Sequence, residues 1–266
     1  MLLLALVSAQ ACTAAIKETR LVPDLPVETL APPPEHPVTD DVDRTVSSDP
    51  TMRRLSFIST RARPVTLHYR QRSQSVGTPT KGRLENGRCL PSRGPGFVVF
   101  SKNRCGTDES AVLLMFAIQE VMEGYPGSPP VVIGSLSRPE GGRLKPHRSH
   151  CSGRDVDVGF FASDGRRLQH FADLGAHGID YDKSFYMMAS LMATGRVMYI
   201  FVNYSLQPHL YEAARRMGYD EEQLKYIMQY PRPRGEKAGI IRHARGHKRH
   251  FHVRFACPDG NATCVD

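Results

Sequence analysis

The chain has 266 residues, 40% of them apolar, which is enough for one sizeable hydrophobic core and excludes repeat, collagenous and fibrous architectures. Lys and Arg number 35 against 27 Asp and Glu, a formal charge of +8, so the surface attracts polyanions: nucleic acid, an anionic lipid face or an acidic wall polymer. Trp is absent and aromatics make up 8%, which argues against a carbohydrate platform of stacked indoles.

Residues 1–11, MLLLALVSAQA, carry no charge and end in the small-x-small pattern Ala9, Gln10, Ala11, as a cleaved export signal does. The stretch is shorter than the about 20 apolar residues a spanning helix needs. Export to the periplasm or cell envelope is therefore expected, with membrane attachment only through a lipid on Cys12, the residue after the cleavage pattern. Residues 12–82 are Pro-rich and acidic, then rich in Ser, Thr and Arg. Such a composition buries too little apolar surface to offset chain entropy, so a linker is expected there, with one short strand around Val65 to Tyr69.

A folded domain is predicted over residues 83–266. Its first apolar run, Phe97 to Phe100, reads as a strand after a turn-rich segment. Asp108 to Glu123 has apolar residues at helical spacing, with Thr107 or Asp108 as the start signal and Gly124 as the stop. The run VVIGSLS reads as a buried strand, followed by the Gly-, Pro- and Arg-rich loop RPEGGRLKPHRSHCSGR and the alternating segment DVDVGFF. A helix around Tyr181 to Thr194, the strand GRVMYIFVN, helices near Pro208 to Met217 and Glu221 to Met228, and the strand HFHVRF complete the order. Strands and helices mix without a βαβ rhythm, which predicts an α+β fold with a small, mostly antiparallel sheet and flanking helices. In an oxidising compartment the near pairs Cys89 with Cys105 and Cys257 with Cys264 are candidate disulfides, leaving Cys151 over; sequence alone does not settle connectivity.

In DVDV, Asp155 and Asp157 share one face of an extended strand while Val156 and Val158 take the other. In HFHVRF, His250, His252 and Arg254 share a face and Phe251, Val253 and Phe255 supply its opposite. If the two strands are neighbours, Asp157 and His252 come within a few ångströms, because strands lie about 4.8 Å apart. His150 lies seven residues before Asp157, with Gly153 between them to fold a loop back onto the polar face. Two imidazoles and a carboxylate suit Zn2+ and leave a fourth position for water, the arrangement of a catalytic site. His147, His150, His243, His247, His250 and His252 fall in two short clusters, whereas His170, His177 and His209 are isolated.

The strings GSLSRPEGGRLKPHRSHCSGRDVDVGFF and HKRHFHVRF resemble the penicillin-insensitive murein endopeptidases, a branch of the LAS metallopeptidases that includes D-Ala-D-Ala dipeptidases and the hedgehog signalling domain. The resemblance covers about residues 85–257. It implies a LAS/hedgehog-like metallopeptidase fold and one Zn2+ per chain on His150, Asp157 and His252. It also implies His250 as a catalytic group, followed by His247, with His147 before the first ligand. Asp155 is expected to orient a ligand or brace the loop, or else to be a strand-edge carboxylate paired with Arg154 or Arg254, and Ser137 and Ser149 are expected to brace the loop with their hydroxyls. Arg138, Arg143, Lys145 and Arg148 line the same loop, as substrate contacts or as a solvated basic surface. Cys151 stands where the family usually carries a polar residue, as a competing thiolate or as a half-cystine pinning the loop. The implied activity is serine-independent hydrolysis of the D-alanyl to meso-diaminopimelyl cross-bridge in peptidoglycan during wall remodelling. A D,D-carboxypeptidase or dipeptidase of the same superfamily, or a non-catalytic zinc-containing wall-binding module, are the other readings. Nucleic acid is not an expected partner, because no basic motif is interleaved with aromatics.

Overall fold

The computed structural model describes residues 73–266; the export-like segment, Cys12 and the strand around Val65 to Tyr69 lie outside them. The elements run β1 (Gln74–Gly77), β2 (Gly82–Glu85), β3 (Arg88–Cys89), β4 (Arg93–Gly94), β5 (Phe97–Val99), β6 (Cys105–Gly106), α1 (Asp108–Gly124), β7 (Val131–Ile133) and β8 (Asp155–Gly159). They continue with α2 (Tyr181–Ala193), β9 (Val197–Val202), a 3-10 turn, α3 (Gln207–Arg216), α4 (Glu221–Ile227), β10 (Ile241–His243) and β11 (His250–Phe255). Seven strands form one sheet in the order β10-β9-β11-β8-β7-β5-β4. Its pairs are parallel at β10–β9 and β5–β7 and antiparallel elsewhere, so the α+β expectation holds.

The core lies on one face of this sheet. Helix α1 starts at Thr107, whose hydroxyl accepts from Ser110 N at 3.0 Å and so satisfies one orphan donor of the first turn. Its buried residues Ala111, Leu114, Ile118 and Val121 recur at helical spacing, and the helix packs against α2, which buries Phe185, Met188 and Leu191. Val156 and Val158 of β8 and Phe251, Val253 and Phe255 of β11 join the same core. Because side chains alternate along a strand, the opposite face of these two central strands carries Asp155, Asp157, His250, His252 and Arg254.

The folded body starts earlier than residue 83. Strands β1 and β2 form an antiparallel pair. Ser73 and Asp108 exchange two bonds, Ser73 N to Asp108 Oδ2 at 2.9 Å and Asp108 N to the Ser73 hydroxyl at 2.6 Å. Gly77 N also donates to Thr263 O at 2.8 Å. Residues 73–82 escape a hydropathy reading because what they bury is polar: Ser73 and Ser75 are fully enclosed. The strand expected through VVIGSLS ends at Ile133, where Gly134 leaves the regular ladder.

Disulfides join Cys89 to Cys105 and Cys257 to Cys264, and Cys151 is free and buried. The first ties β3 to β6; the second closes the segment after β11. Among the described residues no helix is long and apolar enough to cross a membrane.

Candidate metal centre

Strands β8 and β11 pair in the register that sets His252 opposite Asp157, Arg254 opposite Asp155 and His250 opposite Gly159. The third contributor, His150, reaches this face from the long loop between β7 and β8. Its backbone is left-handed, with φ 67°, a conformation that costs a non-glycine residue roughly 1–2 kcal/mol. Asp155 holds it there, accepting from His150 N at 2.8 Å through Oδ2. The loop closes on Gly141, φ +69°, where a Cβ would lie 2.2 Å from Cys151 O and 2.4 Å from Leu84 N, so no larger residue fits.

Three donor atoms form a triangle. Asp157 Oδ1 stands 3.3 Å from His150 Nε2 and 3.0 Å from His252 Nδ1, and the two nitrogens are 3.2 Å apart. Ligand atoms held tetrahedrally at about 2.0–2.1 Å from a zinc ion stand roughly 3.3 Å from one another, so the separations fit such an ion. The outer nitrogens fix the tautomers that this requires. His150 Nδ1 lies 2.5 Å from Leu136 O and His252 Nε2 lies 2.8 Å from Asp155 Oδ1. Each therefore donates outward and turns its other nitrogen toward Asp157, the carboxylate- or carbonyl-backed arrangement of metal-binding histidines. His147 joins the group from the open side: one donor each from His147, His150 and Asp157 lie within 4.8 Å of one another. Its Nδ1 is 3.7 Å from the other carboxylate oxygen, Asp157 Oδ2, and so lies outside the tight triangle.

Burial and charge act against each other here. Burial alone would raise the Asp155 carboxyl, but His252, its hydrogen bond and Arg254 hold it far below the usual range. Asp157 is likewise held low, by His150 and His252 against its burial. Burial opposes charge on His252 too, yet Asp155 and Asp157 on either side raise it to about 9. A cation at Nδ1 must displace that proton. His250 goes the other way: burial lowers it to about 4 against the pull of Asp157, with His247 and His252 adding to the fall, so it is a neutral imidazole at pH 7. His247 and His147 are lowered as well, chiefly by burial and by their histidine neighbours.

The family described as penicillin-insensitive murein endopeptidase matches residues 75–177. A penicillin-insensitive murein endopeptidase of Haemophilus influenzae is 26% identical over 210 residues, 73% of this chain and 67% of the relative. The chain is similar to this family over those residues. Penicillin-insensitive murein endopeptidases are peptidases that act on murein, the peptidoglycan of the cell wall.

The murein endopeptidase match contains His147, His150, Asp155 and Asp157 but ends before the distal HxxHxHVR segment. The β8–β11 pairing brings that segment back onto the site. His250 Nε2 is 3.7 Å from Asp157 Oδ1, and the His247 ring lies 5.0 Å from that of His250 and 5.9 Å from that of His252. His243 is elsewhere, its Nδ1 accepting from Tyr204 N at 3.0 Å. Ser137 is buried and donates to Cys105 O at 2.7 Å and Arg138 O at 2.9 Å, away from the donor triangle. Ser149 is buried beside His150, its carbonyl 3.8 Å from Cys151 Sγ. Cys151 Sγ also meets Thr80 O at 3.4 Å; it forms no disulfide.

Two contributors escape the sequence reading, Leu136 and Phe171, and a third, Arg254, makes the pair with Asp155 that the sequence offered as an alternative. Leu136 acts through its carbonyl, which no side-chain motif reveals. Arg254 donates to Asp155 Oδ1 at 2.9 Å and lies 5.5 Å from the Phe201 ring, a role its position on the polar face of β11 hints at. Phe171 stacks on His250 from a segment without periodicity.

Proposed function

We propose that this chain is an exported, zinc-dependent endopeptidase that hydrolyses peptidoglycan peptide cross-links, cutting between D-alanine and meso-diaminopimelate. The donor triangle of His150, Asp157 and His252 is the observation that carries this reading. These residues would hold one Zn2+ per chain through Nε2, Oδ1 and Nδ1. A bound zinc ion supplies Lewis-acid polarisation of a carbonyl and acidifies water. The two disulfides fit an oxidising compartment and thus export.

The remaining work falls to the histidines on the open side. His250 is assigned to take a proton from the attacking water at Nε2 and return it to the leaving amine, because its neutral imidazole faces the donor triangle. His247 stands next in line: its Nδ1 lies 3.0 Å from Arg245 O, so that nitrogen donates and Nε2 keeps its lone pair. His147 is assigned to the reacting side, next to Asp157 Oδ2. His250→Ala is expected to lower kcat roughly 10²- to 10⁴-fold while zinc content stays at one per chain. Loss of zinc in parallel would instead make His250 a ligand.

Cleavage of cross-linked muropeptide dimers, read by chromatography, tests the assignment. A chelator is expected to stop it, added zinc to restore it, and penicillin to have no effect, since no serine is acylated. Inhibition by penicillin but not by chelator overturns the proposal. Trimming of free termini with dimers left intact replaces it with the carboxypeptidase reading.

A further inference from the structure

His250 lacks the polar tether that fixes the two histidines of the donor triangle. Among the described residues no hydrogen bond reaches either of its ring nitrogens, and Asp157 Oδ1 stands at 3.7 Å. An imidazole held only through its Cβ turns readily about χ2, a broad torsion. Its plane is set instead by packing. The Phe171 ring lies nearly parallel to it, with centroids 4.5 Å apart and planes inclined by 11°. His247 covers part of the remaining side at 5.0 Å.

The sheet is shaped for that phenyl ring. Phe171 belongs to the segment between β8 and α2 that contains neither helix nor strand, yet it is seated over two glycines. A Cβ at Gly134 would come within 2.5 Å of Phe171 Cζ, and one at Gly159 within 3.2 Å of Cδ1. Gly159 is also the residue paired with His250 across β8 and β11, so the space its missing side chain leaves to Phe171 lies directly across the ladder from His250. From the outer side Phe100 meets Phe171 edge-on, with centroids 4.9 Å apart and planes at 86°. Phe100 also meets His170 at 5.1 Å, and it is 40% exposed. The aromatic trio thus forms one wall beside His250.

We propose that Phe171 is the positioning residue of His250: its ring replaces a hydrogen bond, fixing the imidazole plane so that Nε2 stays turned toward Asp157. This rests on His250 being the proton carrier proposed above. Phe100 buttresses the ring. The glycines at 134 and 159 are then requirements of the site, since any side chain there displaces Phe171.

The test uses the full chain loaded with zinc and labelled with 13C-histidine, the His250 signal being assigned by its loss in His250→Gln. The stacked phenyl ring should shift the His250 ring protons upfield. Phe171→Leu, which keeps an apolar side chain but no flat ring, is expected to abolish that shift and lower kcat roughly 10- to 100-fold, with KM and zinc content unchanged. Phe171→Tyr is expected to restore both shift and kcat. Should Phe171→Leu fail to fold, Gly134→Ala, whose Cβ drives the ring off, is expected to show the same loss of shift. An unmoved His250 signal in Phe171→Leu or Gly134→Ala, or zinc lost in step with kcat in Phe171→Leu, overturns the inference. A full kcat in Phe171→Leu while His250→Ala is impaired also overturns it alone; a full kcat in His250→Ala refutes the proton-carrier reading itself.

Discussion

His150→Ala is expected to give a folded chain that retains no stoichiometric zinc and cleaves cross-linked muropeptides no faster than the chelated wild type. The side chain is fully buried and contributes one corner of the donor triangle, with its ring locked by Leu136 O at 2.5 Å. Alanine leaves two corners, below the three protein donors of a catalytic zinc site. The fold should survive, because Asp155 Oδ2 binds the backbone N–H of residue 150 rather than its side chain. Elemental analysis, a thermal melt and chromatography of the digest check the three parts separately. Full zinc occupancy in this variant contradicts the ligand assignment.

Asp155→Ala is expected to weaken zinc binding about 10- to 100-fold, the usual effect of losing a residue that orients a ligand, although Asp155 is not itself a corner of the triangle. Its carboxylate accepts from His150 N at 2.8 Å, His252 Nε2 at 2.8 Å and Arg254 Nε at 2.9 Å. One side chain thus fixes the left-handed backbone of one donor and the tautomer of another. Alanine leaves a buried amide and a buried imidazole N–H without acceptors, each costing about 1–3 kcal/mol. Asn, with one acceptor oxygen, satisfies only one side of that set, so Asp155→Asn should fall between wild type and alanine. Competition with a chromophoric chelator measures the affinities. An alanine variant that binds zinc as tightly as wild type contradicts this role.

Much of the centre is legible in the sequence because two of its strands have a strict period of two. DVDV and HFHVRF each present alternating polar and apolar residues, so the faces are determined before the partners are known. The structure pairs the strands and brings Asp157 opposite His252. The order of helices is legible for a similar reason, and the ends of α1 and α2 fall within a residue or two of their expected positions.

What periodicity does not encode is where irregular segments go. Phe171 and Leu136 lie outside regular strands, and their contacts depend on the whole fold. His243 belongs by spacing to the distal histidine cluster, but the turn before β11 separates it and directs it to the Tyr204 amide. The part that residues 73–82 play in the body is hidden for a different reason. Buried hydroxyls and backbone pairing hold β1, and neither raises hydropathy.

X-ray absorption at the zinc edge of the purified full chain tests the central claim most directly. The account predicts one zinc per chain with two imidazole nitrogens and carboxylate oxygen in its shell at about 2.0–2.2 Å. A shell containing sulfur at about 2.3 Å, as Cys151 ligation would give, or an active chain that carries no zinc, would contradict it.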